Sequence, residues 1–533
     1  MTACTEPHGP APADGAAREG QKGTPKEAQA AVAAPGDNEV RRSTRSGAIG
    51  LVGAAVNGAC GFLLTIVIVR AFGAGGSGAL FTLIGLISIV GPICCLGADT
   101  ALMWAIPRRE RGPRGDAARL LPLAVLPTVG LALLVAALGV AAAGPISRAL
   151  LDEPQGAPLI RLAFAGIPLF VASTVLLAAV RATRSVTAYV GVQFLLVPIA
   201  RPALMIAAVL SGGGVLLGFG GWLLPLAAAL GLALWLVARP LGIGAGASLR
   251  PDSADRRAFW GFALPRAASV AIDAGSMWVG VLLTGALASQ AEAGIFAAVG
   301  RYALAGLLIM QGLRVAIAPQ LSRLLGADRP AEAARVYRRT TLWIVLLSWP
   351  AYLVLAVFAP AFLQLFGSQF AGGAAPMAVI AVAMLVNVGV GLVQTVLLMS
   401  GNSRGHLLAT VAGLVLNVGA CLVLVPRHGA LGAAIAWSLG IVCENVLAAV
   451  FARRALGEAL FGRTLWVSAF AVTAVTGLAA VIGALVAGRE LPGLAVTLGL
   501  LLAGGLALLA DRRVRAALKS VRSQLRPASE DPS

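Results

Sequence analysis

Charge is what this 533-residue chain has least of: Asp, Glu, Lys and Arg make up 12% of it, about half of what a soluble globular domain carries. That scarcity argues against a soluble enzyme or a soluble nucleic-acid binder. Histidine occurs only at His8, His406 and His428, and the last two flank one apolar run on opposite sides, so a shared His metal site is not expected. The six cysteines show no metal-ligand spacing. Cys60, Cys94, Cys95, Cys421 and Cys443 fall inside apolar runs and read as small packing residues, and Cys4 lies near the start. The glycine-rich stretches "GAGGSG" and "GIGAGAS" lack both the strand before and the Lys-Ser/Thr after that a phosphate loop needs, so they read as turns. No cofactor is expected.

What remains is apolar, 58% of the residues, in runs of about 20 without strand-like alternation. In hydrocarbon every backbone amide needs an internal partner, so such runs predict helices. The fold class expected is an all-α membrane protein with about fourteen transmembrane helices. Residues 1–46 are polar, rich in Ala, Pro and Gly, and read as a disordered cytoplasmic tail, with no cleavable signal before Gly47. Residues 47–237 hold helices 1 to 6, 238–260 a cytoplasmic linker, 261–451 helices 7 to 12, 452–510 helices 13 and 14, and 511–533 a basic cytoplasmic tail.

The net charge of +18 follows from topology and needs no nucleic acid. Counting Arg and Lys in alternate loops and membrane-proximal tails puts 29 on one side and 5 on the other. The positive-inside rule then places both termini in the cytoplasm of a multi-pass inner-membrane protein.

An internal repeat runs through the first twelve helices. Gly78 in "SGALF" matches Gly294 in "AGIF" at a spacing of 216, Asn57 matches Asp273 at the same spacing, and Gly214 and Trp222 match Gly429 and Trp437 at 215. An even number of helices per repeat predicts two six-helix lobes related by a twofold axis along the membrane normal, with a cavity between them.

Three stretches carry a resemblance to a known group: "VIVRAFGAGGSGALFTLIG", "EAGIFAAVGRYALAG" with the following "APQLS", and "LVLNVGACLVLVPRHGALGAAIAWSLG". Together they resemble the multidrug, oligosaccharidyl-lipid and polysaccharide exporter superfamily, and within it the bacterial polysaccharide-unit flippases. The resemblance implies a MATE-like fold of two pseudo-twofold lobes plus two C-terminal helices. It also implies a substrate, an undecaprenyl-pyrophosphate-linked oligosaccharide moved by alternating access for cell-surface polysaccharide biosynthesis. The partners implied are membrane lipids, a polysaccharide polymerase and glycosyltransferases, with no nucleic acid.

Four arginines are left inside the apolar runs once the loops are counted: Arg201, Arg301, Arg266 and Arg314. A charge near mid-bilayer costs about 3 kcal/mol on insertion scales, so it normally faces protein or water. Planar guanidiniums bind phosphate oxygens bidentately, which makes these four the candidate substrate-binding residues for a pyrophosphate head. The competing reading pairs Arg201 and Arg301 with carboxylates or helix ends, and lets Arg266 and Arg314 snorkel. Asp273, Glu444 and Asn57 are the candidates for ion coupling, since an intramembrane carboxylate binds Na⁺ or exchanges a proton; an Asp273–Arg266 ion pair is the alternative. Other functions stay open on these residues alone. They are a peptidoglycan lipid-precursor flippase, a cation-coupled multidrug exporter, and a membrane glycosyltransferase or polymerase, the last disfavoured because every outer loop is short.

Overall fold

A computed structural model describes residues 37–109, 116–151, 156–184, 186–238 and 252–510, and among these it contains helices and no strand. The helices are α1 (Asp37–Cys94), α2 (Ala98–Arg109), α3 (Leu120–Ala141), α4 (Ala143–Leu150), α5 (Ala157–Thr183) and α6 (Val186–Val190). Next come α7 (Val197–Leu210), α8 (Val215–Ala238), α9 (Ser253–Leu287), α10 (Gln290–Ala305), α11 (Leu308–Gly326) and α12 (Pro330–Val357). The last are α13 (Ala359–Gln364), α14 (Ala374–Gly389), α15 (Val393–Met399), α16 (Ser403–Leu456), α17 (Arg463–Ala487) and α18 (Leu491–Ala510). The chain divides into two units, Met1–Ala48 and Ile49–Ser533, and the second holds the apolar helices.

Among the described residues nine helices are long and apolar enough to cross a membrane, beside shorter apolar ones. Two of the nine are double: α1 bends at Gly73 (φ 64°) and α16 at Gly429 (φ 50°), left-handed backbone that suits glycine. The outer surface is apolar, with Leu485 82% and Leu210 81% exposed. Water would not tolerate so large an apolar exterior, whereas lipid does.

Some boundaries differ from those the apolar pattern predicts. Helix α1 begins at Asp37, inside the stretch expected to be structureless up to residue 46, because polar residues extend a helix without an apolar period. Residues 253–260 of the expected linker are helical, since the Asp252 carboxylate accepts from the Ser253 amide at 2.6 Å and starts α9 early. Residues 1–36, 239–251 and 511–533, expected to be tail, linker and tail, lie outside the described residues. Three spans read as continuous are broken. The first breaks at residues 95–97 between α1 and α2, where Gly97 takes φ 71°, the second at Gly306–Leu307 between α10 and α11, and the third at residues 390–392, where Gly391 takes φ 62°.

Arginines from other elements close several helix ends. The Arg70 guanidinium donates to the Leu365 carbonyl (2.8 Å) and the Gln364 carbonyl (3.1 Å) at the end of α13, Arg184 donates to Leu236 in α8 (3.0 Å), and Arg489 to Val357 in α12 (2.8 Å). Each supplies donors and positive charge where a helix leaves carbonyls unpaired.

The repeat shows itself as a contact. A Cβ at Gly78 would lie 1.7 Å from the Gln290 carbonyl oxygen, and a Cβ at Gly294 would lie 2.4 Å from the Ala74 carbonyl oxygen. Gly78 and Gly294 are 216 residues apart, and so are Ala74 and Gln290. One contact therefore maps onto the other when the two halves are exchanged, which is the signature of a twofold axis. Neighbouring bonds reinforce this junction: Thr82 Oγ1 to Gln290 Oε1 at 3.1 Å, and the Ala74 amide to Gln369 Oε1 at 2.9 Å.

Backbone sits where the new methyl would go, and it cannot rotate away. Gly78→Ala is expected to destabilise the protein by about 2 kcal/mol or more through overpacking, whereas Gly75→Ala, with nothing within 4 Å, is expected to be near neutral. Thermal unfolding in detergent checks this, and equal melting temperatures for the two variants would contradict the close approach.

Candidate functional site

Arg201 sits in the first half of α7. A π-helical segment, Gly191–Leu196, precedes that helix, and Pro198 and Pro202 bracket the arginine, so its backbone ladder is interrupted on both sides. Its guanidinium carbon lies 4.0 Å from the centroid of the Trp222 ring on α8, and Nε donates to the Trp222 carbonyl at 3.3 Å. Trp222 is itself stacked on Phe219 at 5.8 Å, which fixes the ring face offered to the cation. Arg301 on α10 stands 5.4 Å from the Trp278 ring of α9.

Both guanidiniums line one cavity of about 390 Å³, together with Asn57, Thr65, Ser88, Trp222 and Trp278. The volume is within the usual range for ligand pockets. Two like charges therefore face one space. Among the described residues neither forms a salt bridge. The magnitudes differ between them. A desolvated cation–π contact supplies about 2 kcal/mol and a hydrogen bond to a charged group about 1.5–3 kcal/mol, which together offset the insertion cost of about 3 kcal/mol for Arg201. Among the described residues Arg301 has the longer ring contact alone, which compensates its charge less than the two contacts of Arg201 do.

The other two intramembrane arginines are elsewhere. Arg266 and Arg314 line a second cavity of about 580 Å³ with Gln394, His406, Thr410 and Glu444. The four arginines are thus split into two pairs, whereas their common setting in apolar runs suggests a single set. Glu444 Oε1 accepts from Gln394 Nε2 at 2.7 Å and Thr410 Oγ1 at 3.1 Å. Among the described residues Arg314 Nε is buried without a hydrogen-bond partner, a state that costs about 1–3 kcal/mol.

The ion-coupling candidates are divided as well: Asn57 faces the first cavity, Glu444 the second, and the Asp273 side chain lies outside the described residues. Among the described residues no group of three His, Cys, Asp or Glu could hold a metal ion. Sequence reasoning missed the aromatic partners. Trp222 and Trp437 are visible there only as a repeat match, yet Trp222 carries Arg201 and Trp437 packs edge-on against Phe296 beside Arg301.

A family model described as MatE matches residues 265–423. No curated protein sequence matches the chain. Among solved structures, the chain is similar to the lipid II flippase MurJ in an inward closed conformation, with a TM-score of 0.66 at 10% identity over 86% of this chain and 99% of that one. It is also similar to an inward-facing multidrug resistance MATE family transporter of the MOP superfamily, with a TM-score of 0.59 at 15% identity over 75% and 94%. A MOP superfamily transporter from Pyrococcus furiosus gives 0.53 at 17% identity over 78% and 96%.

A residue that lines a wet cavity reacts with aqueous reagents. In a background without native cysteines, Asn57→Cys is expected to be modified by a water-soluble thiol reagent at least about tenfold faster than Val197→Cys, whose position is buried. Equal rates would show that no wet cavity exists at Asn57. The fold itself is already fixed by the structural likeness: the chain is a multi-pass membrane protein with the MATE-like fold.

Proposed function

We propose that the chain is a flippase that moves a lipid-linked oligosaccharide, carried on undecaprenyl pyrophosphate, from the cytoplasmic to the outer leaflet. The observation that carries this reading is the pair Arg201 and Arg301 in one cavity whose described lining includes no carboxylate. A diphosphate places two anionic groups between two guanidiniums, removes their mutual repulsion and satisfies donors that the protein leaves free. A cation exporter would need the opposite lining. The solved relatives fit this chemistry in part, since MurJ is by its name a flippase of lipid II.

Residues 47–237 and 261–451 act as the two lobes, and they rock about the twofold contact at Gly78 and Gly294. The junction around Arg70, Gln369 and Gln290 closes the side that the charge asymmetry assigns to the exterior, so the cavity is presented to the cytoplasm. With both termini cytoplasmic, the substrate is loaded where glycosyltransferases complete it and released where a polymerase uses it. A peptidoglycan lipid precursor has the same diphosphate head, so the cavity would accept it by the same contacts. The sugar portion distinguishes the two.

The test is genetic and chemical together. Cells lacking the gene are expected to accumulate lipid-linked oligosaccharide on the cytoplasmic face. Arg201→Ala or Arg301→Ala should cut the rescued flux at least about tenfold at equal protein level, with Lys replacements intermediate because they keep charge and lose the bidentate fork. Accumulation of a peptidoglycan precursor instead would select the second substrate, and full rescue by both alanine variants would overturn the site.

A further inference from the structure

The second cavity is larger than the first and takes no part in the flippase reading. It lies along the same helix: Ile272 lines it while Trp278, six residues on, lines the first cavity, a separation of about 9 Å at 1.5 Å per residue. Among the described residues its walls carry two guanidiniums, Arg266 and Arg314, against one carboxylate. That carboxylate is already engaged, because Glu444 accepts from both Gln394 and Thr410. Arg266 is exposed and lines the space, and Arg314 brings a buried Nε–H with no acceptor among the described residues. The described lining therefore offers positive charge in excess, an unmet donor, and room for far more than water.

We propose that this cavity is a second anion site, which takes a phosphate group bearing a polar substituent. Arg314 Nε supplies the buried hydrogen bond and Arg266 the exposed charge. The chemistry is shared by a soluble phosphate or diphosphate and by the headgroup of an anionic phospholipid. Because the site stands about two turns of α9 from the Arg201–Arg301 cavity, an anion held here sits next to the central pair on one helix wall. The site does not depend on which substrate the central cavity moves.

The full chain in nanodiscs of phosphatidylcholine is titrated with inorganic pyrophosphate by calorimetry. Wild type is expected to show two classes of site. Arg266→Gln with Arg314→Gln should weaken one class at least about tenfold and spare the other, and Arg201→Gln with Arg301→Gln should do the reverse. Arg314→Lys, which keeps the charge and lacks Nε, should weaken the same class as the Arg266/Arg314 pair and guards against a folding artefact. In nanodiscs containing one-fifth phosphatidylglycerol, loss of that class from the wild-type titration identifies the lipid headgroup as the occupant. Its persistence identifies a soluble anion. The proposal is overturned if the Arg201/Arg301 double variant binds no pyrophosphate in phosphatidylcholine and phosphatidylglycerol does not change its melting temperature. Failure of the flippase reading looks different, since there the Arg201/Arg301 variant would titrate as wild type.

Discussion

A guanidinium placed inside a bilayer-spanning helix has to be compensated, and among the described residues of this chain aromatic faces do part of that work. Trp222 meets Arg201 with both its ring and its carbonyl, while Trp278 meets Arg301 more distantly with its ring alone. Among the described residues no acid lines the space between them. In the proposed function this incomplete compensation is what recruits an anionic head. The π segment and the prolines around Arg201 belong to the same constraint, because they interrupt the helix that carries the charge.

The twofold contact supplies the mechanical counterpart. Gly78 and Gly294 let the two halves approach to backbone distance, and the exchange of Ala74 and Gln290 makes the contact self-complementary. Arg70 and Gln369 add bonds from α1 to the α13 region on the same side. These bonds are hydrogen bonds to carbonyls and amides, individually worth about 1 kcal/mol, and in the proposed rocking motion a small set of such bonds breaks and reforms readily.

Much of this is legible in the sequence, for identifiable reasons. An arginine in an apolar run is conspicuous because lipid penalises it, so Arg201 and Arg301 stand out from the residue pattern alone. The Gly78–Gly294 match is legible because both positions face the same steric demand. The division of the four arginines is not, since Arg301 and Arg314 lie on one apolar run that the structure splits into α10 and α11, and the two line different cavities. Helix ends such as Asp252 and the break at residues 390–392 escape because apolar periodicity does not register a cap or a single left-handed glycine. The roles of Trp222 and Trp278 escape for a further reason: an aromatic in a membrane helix is ordinarily read as packing.

The central claim is that Arg201 and Arg301 meet the anionic head of a substrate and no carboxylate of the protein. The most direct measurement is a cryo-electron microscopy map of the full chain in lipid nanodiscs with a short-chain polyprenyl diphosphate sugar. Diphosphate density within hydrogen-bond distance of both guanidiniums is the predicted result. A map in which Asp273 or another acid occupies that position, with the added lipid absent from the cavity, would contradict it.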